Sequence, residues 1–305
     1  MKKFPCPVKA LGLVKRKTHL FTPLFFLTLL LVSKAIASES PAEISSSTQW
    51  FNPLRINVFI ILILFFTFVL YFIQRAKKGA SLFVRRIAGL DAIEEAVGRA
   101  TEMGKPILYI SGIEDMDNLQ TVASMIILGN VAEMVAAYDV PLLVPVCLPF
   151  VVTVAEESVK QGYAKAGRPE AYNRNNVRYL TSEQFAYAAG VNGIMLREKP
   201  AANFMFGSFY AESLLMAETG LSTGAIQVAG TANIHQLPFF VVACDYTLIG
   251  EELFAASAYL SREPKLLGSL KASDLAKFLT MIILLVGVIL ETLGVTKLTS
   301  WFFVQ

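Results

Sequence analysis

Eighteen consecutive residues, Ile56 to Ile73, contain only Asn57 and Thr67 as polar residues. A run of that length and polarity spans a bilayer as a helix, because only a helix satisfies its own backbone in hydrocarbon. Arg75, Lys77 and Lys78 follow at once, then Arg85 and Arg86. Positive charge collects on the cytoplasmic side, so the chain beyond this span is expected in the cytoplasm of a cell bounded by an inner (plasma) membrane. Two further apolar runs flank it, at about 20–32 and 278–290.

The first of these belongs to a leader. Lys2, Lys3, Lys9, Lys15, Arg16 and Lys17 precede a short apolar core, and Ala35-Ile36-Ala37 has the small-x-small spacing of a cleavage site. Residues 1–37 therefore read as a signal peptide or as an uncleaved anchor. Both lead to the same orientation of the next span. Residues 38–54 are a polar, Ser-rich extracytoplasmic linker ending in Trp50 and Phe51, which suit the interfacial belt. The spans are placed at 55–74 and 277–296, the second requiring Glu291 near its far end, where a carboxylate is costly in lipid and seeks an interhelix partner. Trp301, Phe302 and Phe303 would anchor beyond it.

Between the spans lies one domain, at 80–272. Hydrophobic residues are 54% of the chain and the mean hydropathy is +0.54, but the excess sits in the three apolar runs. The net charge of +3 is unevenly spread. Residues 80–272 hold 14 Lys and Arg against 20 Asp and Glu, or −6, leaving 13 basic and 4 acidic residues elsewhere. An acidic domain lacks the basic face that nucleic acid requires. The expected partners are the lipid membrane and a second copy or a membrane-protein partner.

Within the domain, short apolar runs alternate with helical patterns. ILYIS at 107–111, LLVPVC at 142–147, VRYL at 177–180, AIQVAG at 225–230 and PFFVVAC at 238–244 read as strands, Pro145 marking an edge or a bulge. GIMLREKPAANFMFG reads as two short strands about Lys199-Pro200. Helices are expected from Asp91 to Met103, from Asn118 to Tyr138, over about 150–166, from the Thr181/Gln184 capping box to Ala189, from Ser208 to Thr219, and from Thr247 to Leu260, with 264–273 a linker. Continuous rather than alternating apolar strands imply a mostly parallel sheet covered on both faces. The fold class is thus a membrane-anchored α/β domain, flavodoxin- or Rossmann-like. The 118–138 helix is apolar on nearly all sides, so it is buried or lies in a subunit contact, with Val122, Ile126 and Met134 on one face. The small residues Ala255, Ala256, Ser257 and Ala258 offer a second close-packing surface.

The chain resembles a family of prokaryotic membrane proteins defined only as a domain of unknown function. The resemblance runs from about Phe51 to Val295 and is most specific in GSFYAESLLMAETG, AIQVAGTAN and QLPFFVVACDYTLIGEELFAASAYL. It implies the membrane topology and no particular chemistry.

No GxGxxG and no GxxxxGK[ST] occurs. Neither a CxxC nor a Cys/His cluster exists, so no metal centre is expected, and Asp115 with Asp117 lacks the further ligands that Mg²⁺ needs. No cofactor is indicated. The densest polar stretch is 224–260. Asp245 and Cys244 end an expected strand, His235 lies in a loop, and Glu251 opens a helix where its charge favours the dipole. These four are the catalytic candidates. In a parallel sheet, strands ending at Ser111, Gly230 and Cys244 would bring Glu114, Thr231 and Asp245 to one edge, with Glu251 entering beside them as a ligand-binding set. Two functions follow: a self-associating or partner-recruiting module, or a membrane-bound hydrolase with a carboxylate site around Asp245 and Glu251.

Overall fold

A computed structural model describes residues 56–78 and 88–293. The leader at 1–37, the linker at 38–54, Arg85 and Arg86, and the aromatic residues 301–303 lie outside the described residues. Those described fall into two units, one holding 56–66 and 283–293, the other 67–78 and 88–282.

Helix α1 is Ile56–Lys77 and α9 is Pro264–Thr292. Both are long and apolar enough to cross a membrane, and their apolar windows are unburied. A third helix, α3 (Leu119–Tyr138), also meets that measure, but 56% of its window is buried inside the fold. The expected linker at 264–273 is instead the start of α9. Gly268 allows this, since a Cβ there would stand 2.7 Å from the Ile73 Cα. Ala272 is buried as well.

The second unit holds a six-stranded, wholly parallel sheet. Its strands are β1 (Ile107–Gly112), β2 (Leu142–Val146), β3 (Val177–Tyr179), β4 (Ala202–Ser208), β5 (Ile226–Thr231) and β6 (Tyr246–Ile249). Their spatial order is β3-β2-β1-β4-β5-β6. That is the doubly wound order in which the chain starts in the middle, works outward to one edge, then crosses back to build the other half.

Helices cover both faces. On one lie α2 (Ala88–Met103), α3, α4 (Pro149–Lys165) and α8 (Glu251–Ser261). Their core joins Ile93, Val97, Val131, Val159 and Leu253 to Tyr109, Phe204, Phe206 and Val228 of the sheet. On the other lie α5 (Gln184–Glu198), α6 (Glu212–Thr223) and α7 (Leu237–Ala243). There Tyr187, Val191, Met216 and Phe240 meet Leu108, Ile110, Met205 and Ala229. Alternate residues of β1 serve opposite cores, which is why its run is apolar throughout.

The apolarity of α3 follows from this layering. It rests on the sheet and packs against both α4 and α8. Ala256, Ser257 and Ala258 of α8 are buried, so that small-residue surface is an internal contact. Val122, Ile126 and Met134 are half-buried. Arg168 reaches back to close α3, donating to Ala136 O at 3.0 Å and pairing with Asp139 at 3.2 Å.

Several expectations are revised. PFFVVAC is not a strand but α7, with Pro238 in its first turn, where a missing N–H costs nothing. A short apolar run fits a buried strand and a helix equally, and here tertiary packing decides. The strand, β6, begins only after Asp245, at Tyr246. The sequence GIMLR likewise continues α5 to Glu198, capped by Glu183 and not by Thr181. Helix α6 is capped at Ala211 rather than Ser208, and α8 starts after Gly250 rather than Thr247. Pro145 sits in an inner strand, since β3 forms the edge beside it. It lies past the β1–β2 pairs at Leu142 and Leu143, so its absent N–H interrupts no pair there.

Gly162 sets the closeness of α3 and α4: a Cβ there would meet Ala132 Cβ at 2.7 Å and the Glu133 N at 2.9 Å. Gly162→Ala should therefore lower stability by about 1–3 kcal/mol, the usual cost of overpacking. Thermal unfolding of the full chain in detergent measures it, and an unchanged midpoint would contradict the packing described.

Candidate functional site

In a doubly wound sheet the binding crevice opens at the carboxyl edge, between the two strands from which the chain departs in opposite directions. Here those strands are β1 and β4. Their ends approach so closely that side chains are excluded. Gly112 (φ 81°) and Gly207 (φ 137°) both have positive φ, and a Cβ on either would collide with backbone across the gap, at Ser208 and Ser111 respectively. The register slips between Ile110 and Gly112, and Ile113 N donates to Ser208 O at 3.1 Å.

Above this junction the space is taken by the protein's own polar side chains. Gln120, in the first turn of α3, is the centre. Its Oε1 accepts from Ala232 N at 2.7 Å and from the Thr231 hydroxyl at 3.1 Å, and its Nε2 donates to Asn233 Oδ1 at 3.1 Å. Asn233 Nδ2 donates to Phe209 O at 2.7 Å and to Ser208 Oγ at 3.1 Å. Thr231 Oγ1 also accepts from Asn233 N at 3.2 Å. The start of α3 is thereby tied to the ends of β4 and β5 through two amides. Asn118 caps α3, its side chain accepting from Gln120 N at 2.9 Å. The phosphate position of a dinucleotide fold, at the N-terminus of the helix after β1, thus faces an amide plug and the carboxylates Glu114, Asp115 and Asp117.

A second polar group adjoins it. Glu212 opens α6 and is fully buried. One carboxylate oxygen accepts from Tyr210 N at 2.9 Å and the other from Gln184 Nε2. The Tyr210 hydroxyl donates to Glu114 at 2.6 Å, and that bond, more than any other influence, raises its pKa. The Ser213 hydroxyl lies 2.7 Å from Tyr210 O and 2.9 Å from Gln236 Oε1. Cys147, at the end of β2, is buried, and burial with the charges of Glu212 and Glu183 pushes its thiol up to about 11. Ser111 Oγ is buried here without a hydrogen-bond partner.

The residues singled out from sequence do not converge. Thr231 and Glu114 are at the carboxyl edge, as expected of them. Asp245 is at the other end, because it precedes β6 instead of closing a strand. It pairs with Gln227 at the start of β5: Gln227 N donates to Asp245 Oδ2 at 2.8 Å, and Asp245 N to Gln227 O at 3.0 Å. Val228 pairs with Tyr246 and Thr231 with Ile249, so a strand's length of about 13 Å separates Asp245 from Thr231. Glu251 returns to the carboxyl edge but is exposed and paired with Lys277 of α9. His235 is exposed in the turn before α7. Cys244 caps that helix, and burial together with the Asp245 charge pushes its thiol up to about 12. A thiol so far from ionisation is no nucleophile at neutral pH.

Asp245 and Tyr246 do border a cleft of about 280 Å³, with Glu95 and Arg99 of α2 and Ile226 of β5. It lies at the amino end of the strands and is walled chiefly by exposed, charged ends of side chains. Among the described residues no group of three or more His, Cys, Asp or Glu side chains is placed to hold a metal ion. Gln120, Gln184, Ser208, Tyr210 and Glu212 were not among the sequence candidates. One signal was legible: Gln120 is a long polar residue in the first turn of a mostly apolar helix.

The family model for the domain of unknown function DUF6754 matches residues 46–302. The chain belongs to that family. No curated protein and no solved structure matches it. The DUF6754 match takes in α1 and α9 as well as the sheet, so both helices are part of the family's unit.

Gln120→Ala should destabilise the DUF6754 domain by about 1–3 kcal/mol, because it strands the Ala232 N–H and the Asn233 amide. Chemical denaturation reads this, and a variant as stable as the wild type would show that the plug holds nothing. The cysteines give a pH test. Both folded-state thiols lie above the ordinary value of 9.0. Their contribution to stability is then present below pH 9 and fades as pH rises towards 11 and 12. Melting temperature should fall over that range, less steeply in a Cys147→Ala, Cys244→Ala variant.

Proposed function

We propose that this DUF6754 chain is a membrane-tethered α/β module that works by self-association or partner recruitment, with its domain on the cytoplasmic side of the inner (plasma) membrane. The observation that carries the reading is the filled carboxyl edge. Where a doubly wound enzyme leaves a crevice, Gln120 and Asn233 join the start of α3 to the ends of β4 and β5, and the adjoining loop presents three carboxylates. A phosphate-bearing cofactor would meet negative charge and no free amide cradle.

The hydrolase reading loses its geometric basis. Asp245 and Glu251 flank opposite ends of β6, and Cys244 is held as a thiol. The two carboxylates on which that reading rests are separated by the length of β6. The topology rests on Arg75, Lys77 and Lys78 at the end of α1, supported by the two unburied apolar helices that precede and follow the domain in the sequence.

Two measurements test this. Membrane-impermeant maleimide applied to intact cells should label a cysteine placed at Ser46 and not one placed at Arg168, in a background lacking the native cysteines. Labelling at Arg168 would reverse the orientation. Millimolar ATP or NAD should leave the melting temperature of the purified protein unchanged. A concentration-dependent rise would mean that the carboxyl edge opens to a ligand.

A further inference from the structure

The two helical layers differ in what they show to solvent. The α2, α3, α4, α8 layer carries mixed charge, including Glu133, Glu156, Glu157 and Lys160. The other is nearly uncharged along α6 and α7. From Pro200 to Ser261 the sequence has no Lys or Arg at all. Its acids there are Glu212, Glu218, Asp245, Glu251 and Glu252. Glu212 is buried, Asp245 is at the amino end of the sheet, and the last two open α8 in the opposite layer. That leaves Glu218 as the one carboxylate on the outer side of α6 and α7.

What stands there instead is apolar. Leu214 and Leu221 of α6 and Phe239, Val241 and Val242 of α7 are all exposed, Leu221 by 62% and Val242 by 87%. The two helices pack side by side, so these residues share one face. Ile234, in the turn before α7, is 77% exposed. None of these side chains has work to do inside the fold, because the inner positions Met216, Ala217 and Phe240 already fill the core. An apolar surface built by two neighbouring helices marks a contact.

Its charge selects the occupant. A lipid surface facing the cytoplasm is anionic and recruits Lys and Arg, of which this stretch has none. A two-fold contact brings a surface against its own copy, so any charged patch meets like charge. A face with a single carboxylate and a row of Leu, Val and Phe escapes that penalty. Both copies are also held in one membrane by α1 and α9, which raises their effective concentration for such a pairing.

We infer that the outer face of α6 and α7 is where one copy of this chain pairs with a second copy. The inference rests on the module reading above and gives it a surface.

The test uses the full chain in lipid nanodiscs and in native membranes. Val242→Glu and Leu221→Glu should each weaken a dimer about ten-fold or more, read by mass photometry or analytical ultracentrifugation. Both side chains are exposed, so melting temperature should not change, and two variants guard against one that misfolds. Phe150→Glu, exposed on the opposite layer, should leave the dimer intact. A monomeric wild type, or a dimer indifferent to both α6 and α7 substitutions, overturns the pairing. A photo-crosslinking amino acid at position 242 separates this failure from failure of the module reading. An adduct of twice the chain mass supports the pairing. An adduct with a different protein overturns it while leaving the module reading in place. No adduct in native membranes overturns both.

Discussion

Every strand of this sheet is parallel, and that constraint governs the rest. A parallel connection must cross a face, so each strand is followed by a helix that covers the sheet. All the covering helices then run antiparallel to the strands, with their N-termini gathered at the carboxyl edge. Their positive dipole ends are matched there by acids: Glu114, Asp115 and Asp117 before α3, Glu183 before α5, Glu212 in α6, and Glu251 and Glu252 in α8. Basic residues stand at the other end, with Lys165 and Arg168 at the end of α4, Arg197 and Lys199 at the end of α5, and Arg262 after α8. The acidity of the carboxyl edge is first a consequence of topology. It also sets three carboxylates, Glu114, Asp115 and Asp117, beside the position that phosphate takes in a dinucleotide fold.

The same edge shows why the crevice is filled. Two glycines let β1 and β4 meet backbone to backbone, and Gln120 and Asn233 consume each other's hydrogen-bonding capacity with Thr231, Ala232, Ser208 and Phe209. Burying amides is tolerable only when they are satisfied. A network this complete stabilises a fixed arrangement and leaves little for a ligand. Elsewhere the fold is less tidy. Asn203 and Gln227, paired across β4 and β5, are buried beneath Gly220 with three side-chain atoms lacking partners. Gly220 has no Cβ because the Gln227 amide occupies that position. Burying these two amides costs stability that the surrounding core must offset.

Much of the architecture was legible in the sequence. Continuous runs such as ILYIS announced a doubly covered sheet, and the extent of α3, from Asn118 to Tyr138, was readable. The site was not, and one residue shows why. Asp245 follows PFFVVAC. Read as a strand, that segment puts Asp245 at the carboxyl edge beside Thr231. Folded as α7, it puts Asp245 before β6, at the far end of the sheet. Periodicity could not separate the two, because a seven-residue apolar run has no period to measure. What decides is that Phe240 fills the second core while Val241 and Val242 point away from it. Gln120 was hidden differently. Its importance lies in partners more than a hundred residues away, and nothing local records them.

Amide hydrogen exchange at the carboxyl edge tests the central claim most directly. A crevice that serves a ligand opens, whereas a plug tied to two strands and the start of α3 exchanges only as the sheet itself opens. The Ala232 amide, bonded to Gln120, and the Ile113 amide, bonded to Ser208, should be protected to the same degree as the amides of β4. Exchange at both within seconds, at the rate of an exposed turn, would contradict a filled switch point and restore the carboxyl edge as a binding site.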